Sequence, residues 1–170
     1  INSDETYITN DVSLGCHGGD SGGDSGGADG GGCDGMLLYG TNAVGKTSLI
    51  RAIGISIILA QSGFYVPASS FVYKPYQSLM TRILGNDNLF KGLSTFVVEM
   101  TELRVILRMA NENTVVLGDE LCSGTEIDSA ISIFVAGLMH LHKTRSSYIF
   151  ATHLHEIVDY KEIREMMPRL

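Results

Sequence analysis

The sequence has no long apolar run. None of its apolar stretches reaches the roughly 18 residues that a bilayer-spanning helix needs. The first residues, Ile1–Glu5, contain neither the basic region nor the apolar core of a signal peptide. We therefore expect an intracellular protein without a membrane partner, in the cytoplasm, the nucleus or an organelle.

Cysteine and basic residues are also scarce. The 3 cysteines, two of them inside a glycine tract, are not the even set of a disulfide framework, and a reducing compartment suits them. The chain has 12 Lys and Arg against 19 Asp and Glu, a formal net charge of −7. Because a surface that grips a nucleic-acid backbone needs clustered basic side chains, we expect no such surface here. If DNA is a partner, domains outside this sequence must hold it.

The rest of the composition predicts one globular domain, since 170 residues with 44% hydrophobic content are enough to bury a core. Tyr7–Leu14 alternates weakly and is rich in β-branched and aromatic residues, which predicts a strand or an extended segment. From Gly15 to Gly35 more than half of the residues are glycine, so this tract has too little apolar surface to offset its ordering entropy. We interpret 1–170 as one domain that contains a disordered loop or insert at 15–35.

Two metal-binding interpretations of the glycine tract stay open. Its aspartates could form a calcium site, or its cysteines and histidine another metal site. Neither set has the spacing of a known site, so a flexible spacer, native or artificial, is favoured. The residues are Asp20, Asp24, Asp29 and Asp34 for calcium, and Cys16, His17 and Cys33 for the other metal.

A phosphate-binding loop follows the tract. Met36–Tyr39 is a short apolar run typical of a buried strand. Gly40–Thr47 then has the pattern Gly-x-x-x-x-Gly-Lys-Thr, and a helical apolar periodicity begins directly after it. Because strand, loop and helix stand in the required order, a chance glycine turn before a core helix is disfavoured.

The loop residues have distinct expected roles in binding ATP and Mg²⁺. Gly40 and Gly45 let the backbone wrap closely around a phosphate chain, with amides pointing at it. Lys46 is expected to neutralise the β- and γ-phosphates, and the Thr47 hydroxyl to bind Mg²⁺. Ser48, the next residue, is included in the nucleotide site.

Apolar periodicity predicts three helices, and continuous apolar runs predict two further buried strands. Short strands around Pro75 are also expected, although the pattern there is ambiguous. The order of strands and helices predicts an α/β fold with a mostly parallel sheet flanked by helices, the architecture of a P-loop NTPase. The helices are predicted at 49–60, 96–110 and 128–142, and the strands at 114–118 and 148–151.

Two of the predicted helices carry specific expectations about burial. In the helix at 96–110, apolar residues step by four and three, and the charged residues Glu99, Glu102, Arg104 and Arg108 are expected to face solvent. In the helix at 128–142, the residues expected in the core are Ile131, Phe134, Val135, Leu138 and Met139.

Acidic and histidine residues follow the last two strands. Asp119 comes directly after an apolar run and is suited to hold Mg²⁺ with Thr47. Glu120 follows it, where an acid can orient and polarise an attacking water, so the pair favours hydrolysis over nucleotide storage. His153 ends another strand and is expected to contact the γ-phosphate or the water, whereas His155 has no such placement.

Four segments in this order resemble the motifs of the ATPase domain of the MutS family. The resemblance implies an ABC-superfamily ATPase that acts in DNA mismatch repair. It also implies a dimer, homo- or heteromeric, with a second MutS-like subunit, and binding of mismatched DNA through domains not in this chain. The segments are Tyr65–Ala68, Ser94–Met100, Asp119–Thr125 and Phe150–His153.

The resemblance also implies individual roles. Tyr7 is similar to the aromatic residue that stacks on adenine, Asn42 to the loop residue that faces the γ-phosphate, and Ser94 to the signature serine that completes the partner's site. The sequence departs from the family's pattern in its long glycine tract and in Leu121–Ser123, which replaces Ile-Gly-Arg. It departs also at Gly118, where a larger apolar residue is common.

The sequence suggests that the site is completed in trans. No arginine stands near the γ-phosphate after Glu120, so another group must supply the missing charge stabilisation. Ser94 and Thr95, at a predicted helix start, offer a hydroxyl and free amides. Alternatives are a non-catalytic ATP-gated dimerisation module, another ABC-type ATPase of DNA maintenance, and a small-molecule kinase, the last weakened by the lack of an Arg-rich lid.

Overall fold

The computed structural model describes residues 9–14, 35–41, 44–83, 95–119, 121 and 125–166. Within these ranges strands and helices alternate along most of the chain. The strands are β1 (Gly35–Tyr39), β2 (Ser78–Arg82), β3 (Thr114–Asp119) and β4 (Ser147–Thr152). The helices are α1 (Lys46–Gln61), α2 (Thr95–Met109), α3 (Ile127–Lys143), a 3₁₀ helix (His155–Asp159) and α4 (Lys161–Met166).

The four strands form one parallel sheet in the order β1-β4-β3-β2. β4 therefore lies between β1, which precedes the phosphate-binding loop, and β3, which ends at Asp119. β3 is buried along its whole length, as its continuous apolar sequence predicts. The prediction of a parallel sheet flanked by helices is confirmed.

The sheet has a hydrophobic core on each face. α1 packs on one face, where Ile50 and Ile57 meet Val115, Leu117 and Ile149. The other helices pack on the opposite face, against the side chains that alternate with these along the strands. That second core is larger, and its aromatic members are Phe134, Tyr148 and Phe150.

Two aromatic rings of β4 lie over glycines of the neighbouring strands. Tyr148 is the register partner of Gly35 on β1, and Phe150 is the register partner of Gly118 on β3. A β-carbon at either glycine would fall within its partner's ring. The glycine at 118, which departs from the family's pattern, is thus matched by a large residue on the adjacent strand.

Several predictions about local structure are wrong. Residues 9–14 form neither a strand nor a helix, while Tyr7 and Ile8 lie outside the described residues, as does the tract at 15–34. Gly35, expected in the disordered tract, is the buried first residue of β1, because it makes room for Tyr148. Around Pro75 only Ser78–Arg82 forms a strand within the described residues.

Two predictions about burial are also wrong. Glu99, expected to face solvent, is fully buried because it forms an ion pair with Arg82 across the packed face of α2. Met139, expected in the core, is exposed, since α3 turns Leu138 and Leu141 toward the sheet instead. The other four residues expected in the core of α3 are buried, as predicted.

The ends of α1 and α3 both involve a left-handed residue. Gly63 has φ 79 and follows α1, where the sequence predicts its stop. After α3 the equivalent residue is Arg145, with φ 55, whose amide donates to the carbonyl of His142. None of the helices in the described residues is long and apolar enough to span a membrane.

Candidate functional site

The carboxyl ends of the four strands share one edge of the sheet, because all of the strands are parallel. In α/β proteins ligands bind outside this edge. The residues at the strand ends are Tyr39, Arg82, Asp119 and Thr152. The loop from β1 to α1 and the turn after β4 leave from the same edge, so the predicted site residues of these segments are brought together.

The loop after β1 turns into α1 at Gly45. This residue has φ 96, a left-handed conformation that glycine adopts without strain, and α1 begins at the next residue, Lys46. The first turn of α1 contains no acidic residue and has no side-chain cap. Its amides are therefore available to a ligand, and a helix start of this kind attracts anions.

The ammonium group of Lys46 lies within the loop that it follows. Its Nζ donates to the carbonyl oxygens of Gly40 at 2.7 Å and Thr41 at 2.8 Å. Both acceptors are neutral, so the positive charge of Lys46 has no counter-ion in the ion pairs of the described residues. A cation and a helix start thus converge on one loop.

Thr47 connects this loop to β3. Its Oγ1 donates to Asp119 Oδ2 at 2.6 Å, across 72 positions of sequence. Asp119 is only 5% exposed, and its other oxygen, Oδ1, is buried without a hydrogen-bond partner in the described part of the chain. A buried carboxylate with one oxygen unsatisfied, beside a hydroxyl, is a donor set that suits a hard divalent cation such as Mg²⁺.

The turn after β4 brings two histidines to the same edge. His153 is exposed and follows β4 directly. The hydroxyl of Thr152 accepts a hydrogen bond from the amide of Leu154 at 3.1 Å, which fixes the turn. His155, for which the sequence suggested no placement, packs edge-to-face with Tyr39, with 6.1 Å between ring centroids. The aromatic residue before Gly40 would have been a signal for this contact.

A cleft of about 530 Å³ lies beside the start of α1. It is formed by β1, the loop and the first turns of the helix, and the segment 9–14 closes one side through Asn10. Tyr39, Lys46 and Ser48 also line it. The sequence placed Tyr7–Asn10 near a nucleotide base only through the family resemblance, and Asn10 does lie close to the loop.

Four predicted site residues, Tyr7, Asn42, Ser94 and Glu120, lie outside the described residues. No cluster of three or more His, Cys, Asp and Glu side chains with the geometry of a metal site occurs among residues whose positions are described. The aspartates and cysteines of the glycine tract lie outside that part of the chain, so both metal-binding interpretations of the tract remain predictions.

Sequence reasoning missed one charged cluster at the same edge. Arg82, at the end of β2, contacts Glu99 and Glu102 on α2. Charged residues on an amphipathic helix are ordinarily assigned to its solvent face, which is why Glu99 was misplaced. The signal that could have found the cluster is a lone arginine at a strand end that shares this edge.

A family model and several relatives match the chain. The model for MutS domain V matches residues 36–169. A mitochondrial DNA mismatch repair protein mutS homolog of Sarcophyton glaucum is 49% identical over 123 residues, 72% of this chain and 12% of the relative. A mutS homolog of Acanthamoeba polyphaga mimivirus is 47% identical over 137 residues, 79% of this chain and 12% of the relative.

A bacterial relative covers more of the chain. The DNA mismatch repair protein MutS of Chlorobium chlorochromatii is 34% identical over 163 residues, 95% of this chain. The chain spans 12% to 17% of the length of these curated relatives. Because the family model covers most of the sequence, including the loop, β3 and β4, the chain belongs to the MutS family of DNA mismatch repair proteins, in the part known as domain V.

Proposed function

We propose that this chain binds ATP with Mg²⁺ and hydrolyses it, as the ABC-type P-loop ATPase part of a protein that acts in DNA mismatch repair. The observation that carries the proposal is the hydrogen bond from Thr47 to Asp119 beside the ammonium of Lys46. A hydroxyl, a buried carboxylate and a cation at a helix start suit a metal–polyphosphate and would leave a neutral ligand poorly paired.

Lys46 binds the phosphates by exchanging partners. Its present acceptors are two neutral carbonyls, and a hydrogen bond to a charged oxygen is roughly twice as strong as one to a neutral group. The β- and γ-phosphate oxygens therefore displace the carbonyls of Gly40 and Thr41. The amides after Gly45 contribute their partial positive charge without any movement of the helix.

Thr47 and Asp119 would hold the metal ion through oxygen atoms. When bound, Mg²⁺ neutralises the β- and γ-phosphates and orients them for attack. The unsatisfied Oδ1 of Asp119 gains a partner in that state. Glu120, the next residue, orients the attacking water and accepts its proton, and His153 donates to the γ-phosphate or to that water.

The cleft beside α1 accommodates the rest of the nucleotide. Its volume of about 530 Å³ is in the usual range for small-ligand sites. Tyr7, three positions before Asn10, stacks on the adenine in this proposal, while Asn42 in the loop faces the γ-phosphate and Ser48 binds phosphate near the start of α1. The support for Tyr7 is that Asn10 lies in the cleft lining.

The active unit is a dimer with a second MutS-like subunit, in which Ser94 of one chain faces the γ-phosphate bound by the other. The sequence supports this, because no arginine follows Glu120 to stabilise that charge. The net charge of −7 argues against DNA binding by this segment, so the nucleotide state is coupled to mismatched DNA that other domains hold. The names of the relatives support mismatch repair as the process.

The test is ATP binding by calorimetry and turnover, each with and without Mg²⁺, in Lys46→Ala. We expect this variant to lose nucleotide binding, because its loop can no longer compensate the phosphate charge. Lys161→Ala is the matched control, since it removes an exposed ammonium on α4. Unchanged affinity in Lys46→Ala would contradict the site, and binding without turnover in the native protein would favour an ATP-gated module instead.

A further inference from the structure

Arg82 links the sheet edge of the nucleotide site to helix α2. It is the last residue of β2 and the register partner of Gly118, which immediately precedes Asp119. Its Nη2 lies 3.2 Å from Glu99 Oε1, and its Nε lies 2.8 Å from Glu102 Oε2. One guanidinium therefore holds two carboxylates of one helix.

The burial of this cluster is uneven. The Glu99 side chain is fully buried and that of Arg82 is 11% exposed, whereas that of Glu102 is 49% exposed. Removing a carboxylate and a guanidinium from water is costly, and a well-packed apolar pair often stabilises a protein as much or more. Stability alone therefore gives no reason for an ion pair at this position.

The cluster does fix the direction of α2. A guanidinium is a rigid planar fork, and residues three apart on a helix lie on one face. Contacts to both Glu99 and Glu102 thus set the rotation of α2 and its height along its axis. Glu99 lies about one turn from Thr95, the first residue of α2, so the held part is the amino-terminal turn.

We propose that Arg82 and Glu99 are positioning residues for the composite ATP site. They hold the start of α2 against the strand edge that carries Asp119, so that this helix start meets the nucleotide of the second subunit. The inference rests on the function proposed above, in which Ser94, the residue before α2, acts in trans. Ser94 itself lies outside the described residues, and the argument uses only the helix that follows it.

The test uses the protein in its native full length with Arg82→Met and Glu99→Leu combined, which replaces the ion pair by apolar side chains of similar size. We expect the melting temperature and the affinity of the variant's own loop for Mg-ATP to be unchanged. Turnover should fall roughly 10-fold to 100-fold, since small displacements of a contacting group can cost this much. Lys161→Met with Glu165→Leu is the control, because it removes an exposed ion pair on α4, and its turnover should match the native protein.

Mixed dimers separate a role in trans from a role within the chain. Mixed with Lys46→Ala chains, the double variant should regain the activity of a Ser94→Ala and Lys46→Ala mixture, because one site then has an intact loop and an intact facing helix. Mixed with Ser94→Ala chains, it should stay inactive, since both sites face a damaged helix start. Turnover that is undiminished in the double variant alone would overturn the inference.

The two failures are distinguishable. If the Ser94→Ala and Lys46→Ala mixture recovers activity but the double variant with Lys46→Ala does not, the positioning role is wrong and the composite site stands. If the Ser94→Ala mixture fails to recover, the composite site is wrong and this inference falls with it.

Should the double variant not fold, Glu102→Gln provides the second test. It removes the half-exposed arm of the fork and leaves the buried pair in place. We expect a smaller loss of turnover with the same pattern of recovery on mixing. Native turnover in Glu102→Gln, together with an unfolded double variant, would show that the cluster serves folding only and would overturn the proposal.

Discussion

The ring of Phe150 on β4 lies over Gly118 on β3, where any larger residue at 118 would place its β-carbon. The two residues are register partners in adjacent parallel strands. Gly118 precedes Asp119, and Phe150 also packs against Phe134 of α3, with 5.4 Å between ring centroids. The glycine thus lets an aromatic ring connect α3 to the strand that ends at the candidate site.

Gly118→Ala should therefore destabilise the fold. The added methyl group overlaps the ring of Phe150, and overpacking of a core typically costs about 1–3 kcal/mol. Urea unfolding measures the change. Gly137→Ala is the matched control, because a β-carbon there lies 3.9 Å from Leu103 Cδ1 and alanine is favoured inside a helix. Equal stabilities of the two variants would contradict the packing described here.

Arg145→Gly should stabilise the protein. Arg145 has φ 55 after the end of α3, a conformation that costs a residue with a β-carbon roughly 1 kcal/mol and costs glycine almost nothing. We expect a higher melting temperature by thermal unfolding. Arg145→Ala removes the same exposed side chain but keeps the β-carbon, so it should gain little, and an equal gain in both variants would assign the effect to charge.

Most of the elements that position the site follow from sequence patterns. β3 and β4 are predictable because continuous apolar runs of this length suit strands buried on both faces. α1 and α3 are predictable because their apolar residues recur at helical spacing. Since parallel strands share one carboxyl edge, the approach of Thr47 to Asp119 is also the expected result of the order of elements.

The features that the sequence does not reveal depend on contacts between distant residues. Glu99 reads as a solvent-facing acid until the fold places Arg82 beside it, because local periodicity carries no information about a partner on β2. Gly35 reads as part of a glycine tract because its reason for being glycine, the ring of Tyr148, lies on β4. The contact of Tyr39 with His155 likewise joins residues from opposite ends of the described chain.

Asp119→Asn should remove the Mg²⁺ dependence of nucleotide binding. The carboxamide keeps the shape of the side chain but loses the charge that a hard cation requires. We expect the Mg²⁺ concentration for half-maximal binding to rise at least about tenfold, the lower limit typical even of changes beside metal ligands. A Mg²⁺ titration of ATP binding measures this, with Asp159→Asn, an exposed acid on the 3₁₀ helix, as the control. A native titration curve in Asp119→Asn would rule out this carboxylate as the metal ligand.

Glu120→Gln should separate binding from turnover. The glutamine cannot accept the proton of the attacking water, so turnover is expected to fall roughly 10²-fold or more while Mg-ATP affinity is preserved. Single-turnover hydrolysis and calorimetry on the same preparation provide the two numbers. A parallel loss of affinity and turnover would mean that Glu120 has a structural role.

The central claim is that the site is completed by a second subunit, and mixing two inactive variants tests it most directly. Ser94→Ala and Lys46→Ala chains are each expected to turn over ATP poorly. In a two-fold mixed dimer one site carries both lesions and the other site carries neither, so hydrolysis should reappear on mixing. If dimers demonstrably form and ATP hydrolysis stays at the level of the separate variants, Ser94 does not act in trans and the composite site is contradicted.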